Sequence, residues 1–292
     1  MTVSEAFKVH SEEGKRLPVA RRPLIWLNCL CLDAPIVAAA WQGLFAVAFH
    51  FQLAMADRFA LFLTAWWIYL ADRLADSLTV APSAMLTARG AFCLRHRRAF
   101  SFVLALVGFA DAMVIITTLD RPLIKVGLVL GGAALVYLFV NFRCDRVWQA
   151  LPIKELAVGF LFACGVTFVF VVRGPSEFFF LAAFLFGCLC SLNCLSIAVW
   201  EMDLDLGQGK HTWATEHSRW VTIVRPGCLV AGLVPCALGG RAIPPLLAAA
   251  LAVSSGLLFL LHFIDVSKDE RTALADIVLL IPAVIFILPG LW

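Results

Sequence analysis

Charge is scarce in this chain. Asp, Glu, Lys and Arg make up 15% of its 292 residues and hydrophobic side chains 62%, a balance outside the range of soluble globular domains. Several other features are absent too. Low-complexity tracts do not occur, and the connections between apolar stretches are too short to house a separate soluble domain. Ten cysteines are scattered through apolar stretches, among them Cys29, Cys31, Cys188, Cys190 and Cys228. No Cys-x-x-Cys pair stands beside a second such pair or a His pair, so neither a zinc site nor a disulfide framework is expected. They read as small apolar packing residues. The histidines form no pair placed for haem ligation, and no nucleic-acid partner is expected.

What is present is a succession of apolar runs of membrane-crossing length. Nine windows can be read, at roughly 24–49, 57–76, 99–119, 122–142, 153–172, 177–200, 219–238, 243–264 and 272–291. The expectation is an all-α polytopic membrane protein of nine transmembrane helices, with residues 1–22 as a cytoplasmic tail and 23–292 as one helical domain. The basic cluster ending the tail resembles a signal peptide only superficially. The apolar run after it continues through Asp33 to about Phe49, too long for a signal sequence.

Basic residues set the orientation. With a cytoplasmic N-terminus, seventeen Lys and Arg fall on the cytoplasmic side and five on the other (Arg58, Arg121, Lys125, Arg173 and Arg241); Arg225, inside the seventh window, completes the 23. The C-terminus is then non-cytoplasmic; in a bacterium the membrane would be the plasma membrane.

Two acid clusters close long apolar runs on that cytoplasmic side. In "WWIYLADRLADSL" (66–78), Asp72 and Asp76 are four apart and share one face of a helix. In "VWEMDLDLGQGKHT" (199–212), Glu201 and Asp205 repeat the spacing, Asp203 falls on the opposite side, and Gly207 and Gly209 end the helix. Facing carboxylates repel unless a hard cation lies between them. Mg²⁺ suits such a place, taking a few carboxylates, several waters and phosphate oxygens. Lys and Arg nearby would hold the same phosphates.

These residues resemble the UbiA-type intramembrane prenyltransferases, whose two aspartate-rich motifs follow the second and sixth of nine helices. The first motif, N-D-x-x-D-x-x-x-D, is matched by "IYLADRLAD" (68–76), which keeps its last two acids as Asp72 and Asp76 and carries Ile68 and Tyr69 in place of Asn-Asp. The second, roughly D-x-x-x-D-x-x-x-G, is matched by "EMDLDLGQG" (201–209), with Glu201, Asp205 and Gly209 in its fixed positions. "LPIKELAVGFLFACGV" (151–166) is similar to the family's entry into helix five, and "RRP" (21–23) is a weaker likeness. The resemblance implies a Mg²⁺-dependent transfer of an isoprenyl group from a prenyl diphosphate to a lipophilic or aromatic acceptor within the bilayer. It implies Asp72, Asp76, Glu201 and Asp205 as catalytic metal ligands, and Lys154, Arg143 and Lys210 as diphosphate-binding residues. Arg89 and the "RHRR" of 95–98 could supply charge from the loop after the first motif. Trp66, Trp67, Tyr69, Tyr137 and Trp200 are candidates for stabilising an allylic cation. Secondary site candidates are Asp203, Asn193, Asp33 and Tyr69. Asp33 lies within the first window, where an acid invites a functional reading or a polar pairing between helices; Asp111 and Asp276 favour the pairing. The alternative functions are a UbiA-type terpene cyclase acting on a prenyl diphosphate, and a non-catalytic isoprenoid-binding or transport protein.

Overall fold

The computed structural model describes residues 22–79, 86–143, 152–175, 177–209 and 212–287. They are almost wholly helical: α1 (Arg22–Cys29), α2 (Asp33–Ala48), α3 (Met55–Thr79), α4 (Ala88–Arg95), α5 (Arg97–Thr118), α6 (Arg121–Arg143), α7 (Ile153–Val172), α8 (Phe179–Gly207), α9 (Trp213–Glu216), α10 (Ser218–Leu238), α11 (Pro245–Leu261) and α12 (Lys268–Ile287). Helix occupies each apolar window within the described residues. Four helices, α5, α6, α7 and the long α8, are long and apolar enough to cross a membrane, and the chain is a helical integral membrane protein.

The first window is divided rather than continuous. Cys31 adopts a left-handed conformation (φ 58°) between α1 and α2. Pro35 supplies the reason: a helix running through it would set its ring against the carbonyl of residue 31 and lose a hydrogen bond. Pro35 is tolerated because it falls in the first turn of α2. Two connections also carry short helices. Thr87 caps α4 by accepting from the Gly90 N–H at 3.2 Å. Thr212 and Thr215 cap α9 reciprocally. At the end of α8, Gly209 takes φ +69°, which favours glycine.

The core lies where α2, α7, α8, α11 and α12 meet. Phe45 packs against Phe170, Phe179 and Phe186 with ring centroids 6.3, 5.9 and 5.7 Å away. Trp41 stacks on Phe186 at 4.4 Å and donates its indole N–H to the Leu279 carbonyl at 3.1 Å, fixing α2 against α12. The α7–α8 seam is close enough that a Cβ on Gly159 would run into the Ser191 backbone. Outside this core, α5 turns Phe102, Leu106, Phe109 and Ile116 outward, at helical spacing. In a bilayer that stripe meets acyl chains.

Candidate functional site

The C-terminal ends of α3 and α8 come together beside α4, around a cavity of about 90 Å³. Arg73, Asp76 and Ser77 of α3, Arg89 of α4, and Glu201 and Asp205 of α8 line it. The i, i+4 spacing of Glu201 and Asp205 puts both on the cavity side. Asp203 points away, 74% exposed, in an ion pair with Lys268 of α12 at 3.1 Å.

Arginines, 112 residues from their partner in one case, balance these acids. Arg89 is buried, and its Nη2 donates to both Glu201 oxygens at 2.8 and 3.0 Å. The Thr272 hydroxyl donates to the same carboxylate at 3.2 Å. Glu201 is thus clamped to α4 and α12. Arg73 is held more loosely: it lies 3.6 Å from Asp76, donates to the Tyr69 hydroxyl at 3.4 Å, and its buried Nε–H has no partner. A guanidinium has five N–H donors, so such a group facing a cavity has capacity for an anion.

Deeper in, Asp72 accepts from the Asn141 amide at 3.3 Å, with Asp76, Arg73, Lys154 and Arg89 within electrostatic reach. Tyr137 of α6 lies near Asp72, Asp76, Glu155 and Cys194. Tyr69, Asp72, Arg73, Tyr137, Lys154 and Asp276 sit among the helices and are half-buried. Trp66 and Trp200 are committed to structure. Trp66 donates to the Leu30 carbonyl at 3.1 Å, where α1 breaks from α2. Trp200 donates to His262 Nδ1 at 3.2 Å, which leaves the imidazole proton on Nε2, facing Ser196 Oγ at 3.1 Å. With that nitrogen already protonated, the Ser196–His262 pair is a structural link rather than a nucleophile and its base.

Asp33 and Asn193, read separately in the sequence, belong to one buried group. The Asn28 amide donates to Asp33 at 2.6 Å, and the Asn193 amide donates to Asp276 at 3.4 Å. On the loop side, the α4 N-terminus is held by Asp269, which accepts from the Ala88 N–H at 3.0 Å. Burial pushes the Asp269 carboxyl above its ordinary range, against that hydrogen bond.

Of the site residues read from sequence, the structure gathers Asp76, Glu201 and Asp205 at one cavity, with Asp72 and Lys154 behind it and Tyr69 beside Arg73. It separates Asp203 from them. Lys210 and the side chain of Arg143 lie outside the described residues. Arg73 and Glu155 are additions. Arg73 stands between two motif acids in an apolar run, a signal the sequence carried. Glu155 follows Lys154 and is buried with Oε2 unpartnered; nothing in the sequence told it from an exposed first-turn acid.

The donor set fits a hard divalent cation in type, since Asp76, Glu201 and Asp205 offer carboxylate oxygens around a space large enough for several waters. Among the described residues no three metal-ligating side chains converge on one point. Water or phosphate oxygens would therefore complete the shell, as is usual for Mg²⁺. No protein-family model matches the chain, and no curated protein matches it.

Proposed function

We propose that the chain is a Mg²⁺-dependent intramembrane prenyltransferase of the UbiA type, with nine membrane-crossing helices, a cytoplasmic N-terminus and a non-cytoplasmic C-terminus. It transfers an isoprenyl group from a prenyl diphosphate to a lipophilic or aromatic acceptor. The observation that carries this reading is the meeting of both acid segments at one cavity, together with two buried or half-buried arginines. Three carboxylates and two guanidinium groups line it, leaving one excess negative charge. A diphosphate would be repelled by that excess unless a divalent cation came with it, which agrees with a Mg²⁺ requirement.

Asp76, Glu201 and Asp205 would hold a hydrated metal from around the cavity, in part through its bound waters, with Asp72 behind them. Bound there, Mg²⁺ supplies Lewis-acid stabilisation of the departing diphosphate. The residues of the chain do the positioning. Arg73 has unused donors for phosphate oxygens, and Lys154 adds positive charge deeper in. Arg89 keeps Glu201 in place and ties α4 over the cavity. The Tyr69 ring already stabilises a cation, with the Arg73 guanidinium 5.0 Å from its centroid, and aromatic rings at this end of the helices would act in the same way on positive charge developing on the isoprenyl carbon. The surrounding apolar helices exclude water, so the cation meets the acceptor first.

The test is pyrophosphate release by the purified protein from geranyl, farnesyl and geranylgeranyl diphosphates, with and without Mg²⁺ and aromatic acceptors. Mg²⁺-dependent release coupled to acceptor prenylation is expected. Release without acceptor, with a cyclic hydrocarbon formed, would favour the cyclase; no release and no binding would favour a non-catalytic protein. Asp72→Asn, Asp76→Asn and Asp205→Asn should each lower turnover about a hundred-fold or more. Asp203→Asn should have much less effect. Full turnover in both Asp76→Asn and Asp205→Asn would sink the proposal.

A further inference from the structure

Arg225 is a cation set among side chains that suit lipid. It lies on α10, whose stretch Thr222–Leu238 is apolar, and Ile223, Leu229, Val230 and Leu233 are exposed around it. Arg225 is itself exposed. Among the described residues no carboxylate pairs with it, Asp265 of the loop after α11 included. An unpaired guanidinium on an outward-facing apolar stripe is costly in a bilayer, and such groups take a polar partner or carry a function.

The placement of the side chain points to that partner. Gly232 of α10 lies against Ala252, Ser255 and Gly256 of α11. Arg225 is about 10 Å back along α10 from this crossing, and Phe263 lies just past the matching end of α11. The two meet there: the Arg225 guanidinium rests 5.6 Å from the centroid of the exposed Phe263 ring. The cation is thus held at the rim of the bundle, as long basic side chains are at a membrane surface. A second arginine is anchored on the next loop residue. Arg271 of α12 donates from Nη2 to the Ile264 carbonyl at 2.7 Å, and its guanidinium lies 5.7 Å from the Trp200 ring centroid. It fixes the loop that carries Phe263 and adds a second positive charge. The orientation proposed above puts this rim at the cytoplasmic leaflet, whose anionic lipids attract basic side chains.

We propose that this corner of α10, α11 and α12 binds an anionic phospholipid, with its phosphodiester on Arg225 and an acyl chain along Leu229, Val230 and Leu233. A guanidinium offers a phosphate two parallel N–H donors. A zwitterionic head group would bring its own ammonium against two arginines, so the site selects a lipid of net negative charge. The apolar stripe runs on from Arg225 toward the bilayer interior, which suits a lipid and gives a soluble phosphate nothing. The corner also backs onto the acid cavity. Arg271 lies over Trp200, and the residues that follow these two, Thr272 and Glu201, share a hydrogen bond at 3.2 Å. Arg225 itself takes no part in that cavity, so the lipid site stands independently of the transferase reading.

The test measures, by native mass spectrometry, the lipids retained by the full-length protein in neutral detergent. Dioleoyl phosphatidylglycerol and dioleoyl phosphatidylcholine are supplied together, so that the two probes differ only in head group. Wild type should retain the anionic lipid about five-fold over the zwitterionic one, the worth of one arginine at an anionic membrane surface. Arg225→Leu suits a lipid-facing stripe, so it should fold, and it should bring the ratio close to one. Arg225→Lys keeps the charge and should keep most of the preference. Arg241→Leu, beyond the opposite end of α10, should leave it unchanged. Equal retention of the two lipids by wild type would overturn the proposal, as would an unchanged ratio in folded Arg225→Leu. Loss of the preference in Arg241→Leu would also overturn it, because net charge alone would then set the ratio. Displacement of phosphatidylglycerol by inorganic phosphate would make the ligand a soluble phosphate and overturn the lipid assignment.

Discussion

The successive helices α5 and α6 and the paired helices α7 and α8 are equally apolar, with mean hydropathies of 2.3 and 2.2 against 2.3 and 2.1. Yet 11% of each apolar window is buried in the first pair, against 39% and 44% in the second. In a bilayer this contrast has a direct reading. Acyl chains are as apolar as leucine, so apolarity alone gives a helix no reason to leave lipid for protein. What draws helices together is close backbone approach and polar pairing. The α7–α8 pair has both: Gly159 lies against Ser191, Gly187 against Phe160, and Ser191, Asn193 and Ser196 are buried. The α6 glycines, Gly127, Gly131 and Gly132, have nothing within 4 Å of where a side chain would begin. The catalytic proposal follows the same division, since its acids and arginines sit on α3, α4 and α8 rather than on the lipid-facing stripe of α5.

The largest effect that would test this contrast is at Gly159. In Gly159→Ala the new methyl would meet the backbone of Ser191, which cannot swing aside as a side chain can. The seam would have to open, at a cost of about 3 kcal/mol. Thermal unfolding in detergent should show a clear drop, and an unchanged midpoint would mean that the two helices are not in backbone contact.

A smaller loss is expected where α7 is tied to the start of α3. Arg173 Nη2 lies 2.6 Å from Asp57 Oδ2, and Arg173 also donates to the Gln52 carbonyl at 3.0 Å. Asp57 is buried, with its side chain 5% exposed, whereas that of Arg173 is 29% exposed. Arg173→Ala would strand the Asp57 carboxylate with only the Ala54 N–H at 3.2 Å. Breaking a buried pair costs about 3 kcal/mol or more, and the partial exposure of Arg173 lowers that to roughly 2 kcal/mol. Asp57→Asn with Arg173→Ala should recover part of the loss in a double-mutant cycle; no recovery would show that the pair is not what is being measured.

Much of this architecture could be read from sequence, because it is local. Apolar runs locate the helices, and the i, i+4 spacing puts Glu201 and Asp205 on one face with Asp203 on the other. Gly209 marks the end of α8. What escaped is set by distance along the chain. Nothing near Glu201 announces that Arg89 will clamp it, and nothing near Asn193 announces Asp276, 83 residues on. The split at Cys31 is hidden for another reason. Pro35 carries the signal, but the continuous hydropathy of the run conceals it. Hydropathy likewise cannot tell α6 from α7, since lipid and protein interior select the same residues.

The smallest effect is expected at Gly131, where the contrast is most exposed to failure. Alanine there meets open space and φ is ordinary, so no strain opposes it. In a water-exposed helix the exchange would stabilise by about 1 kcal/mol through reduced backbone freedom. Within a bilayer the helix persists when tertiary packing is lost, so the gain should be smaller, between zero and a few tenths of a kcal/mol. Gly131→Leu is the sharper version, because leucine fits lipid but not a helix interface. Gly127 and Gly131 are also four apart, a spacing that permits close helix pairing in membranes. If this face meets lipid, Gly131→Leu should leave the unfolding midpoint and the molecular mass in detergent unchanged. A lower mass, or a lost dimer band after cross-linking, would mean that a second copy covers α6 and that the low burial of α6 belongs to the isolated chain.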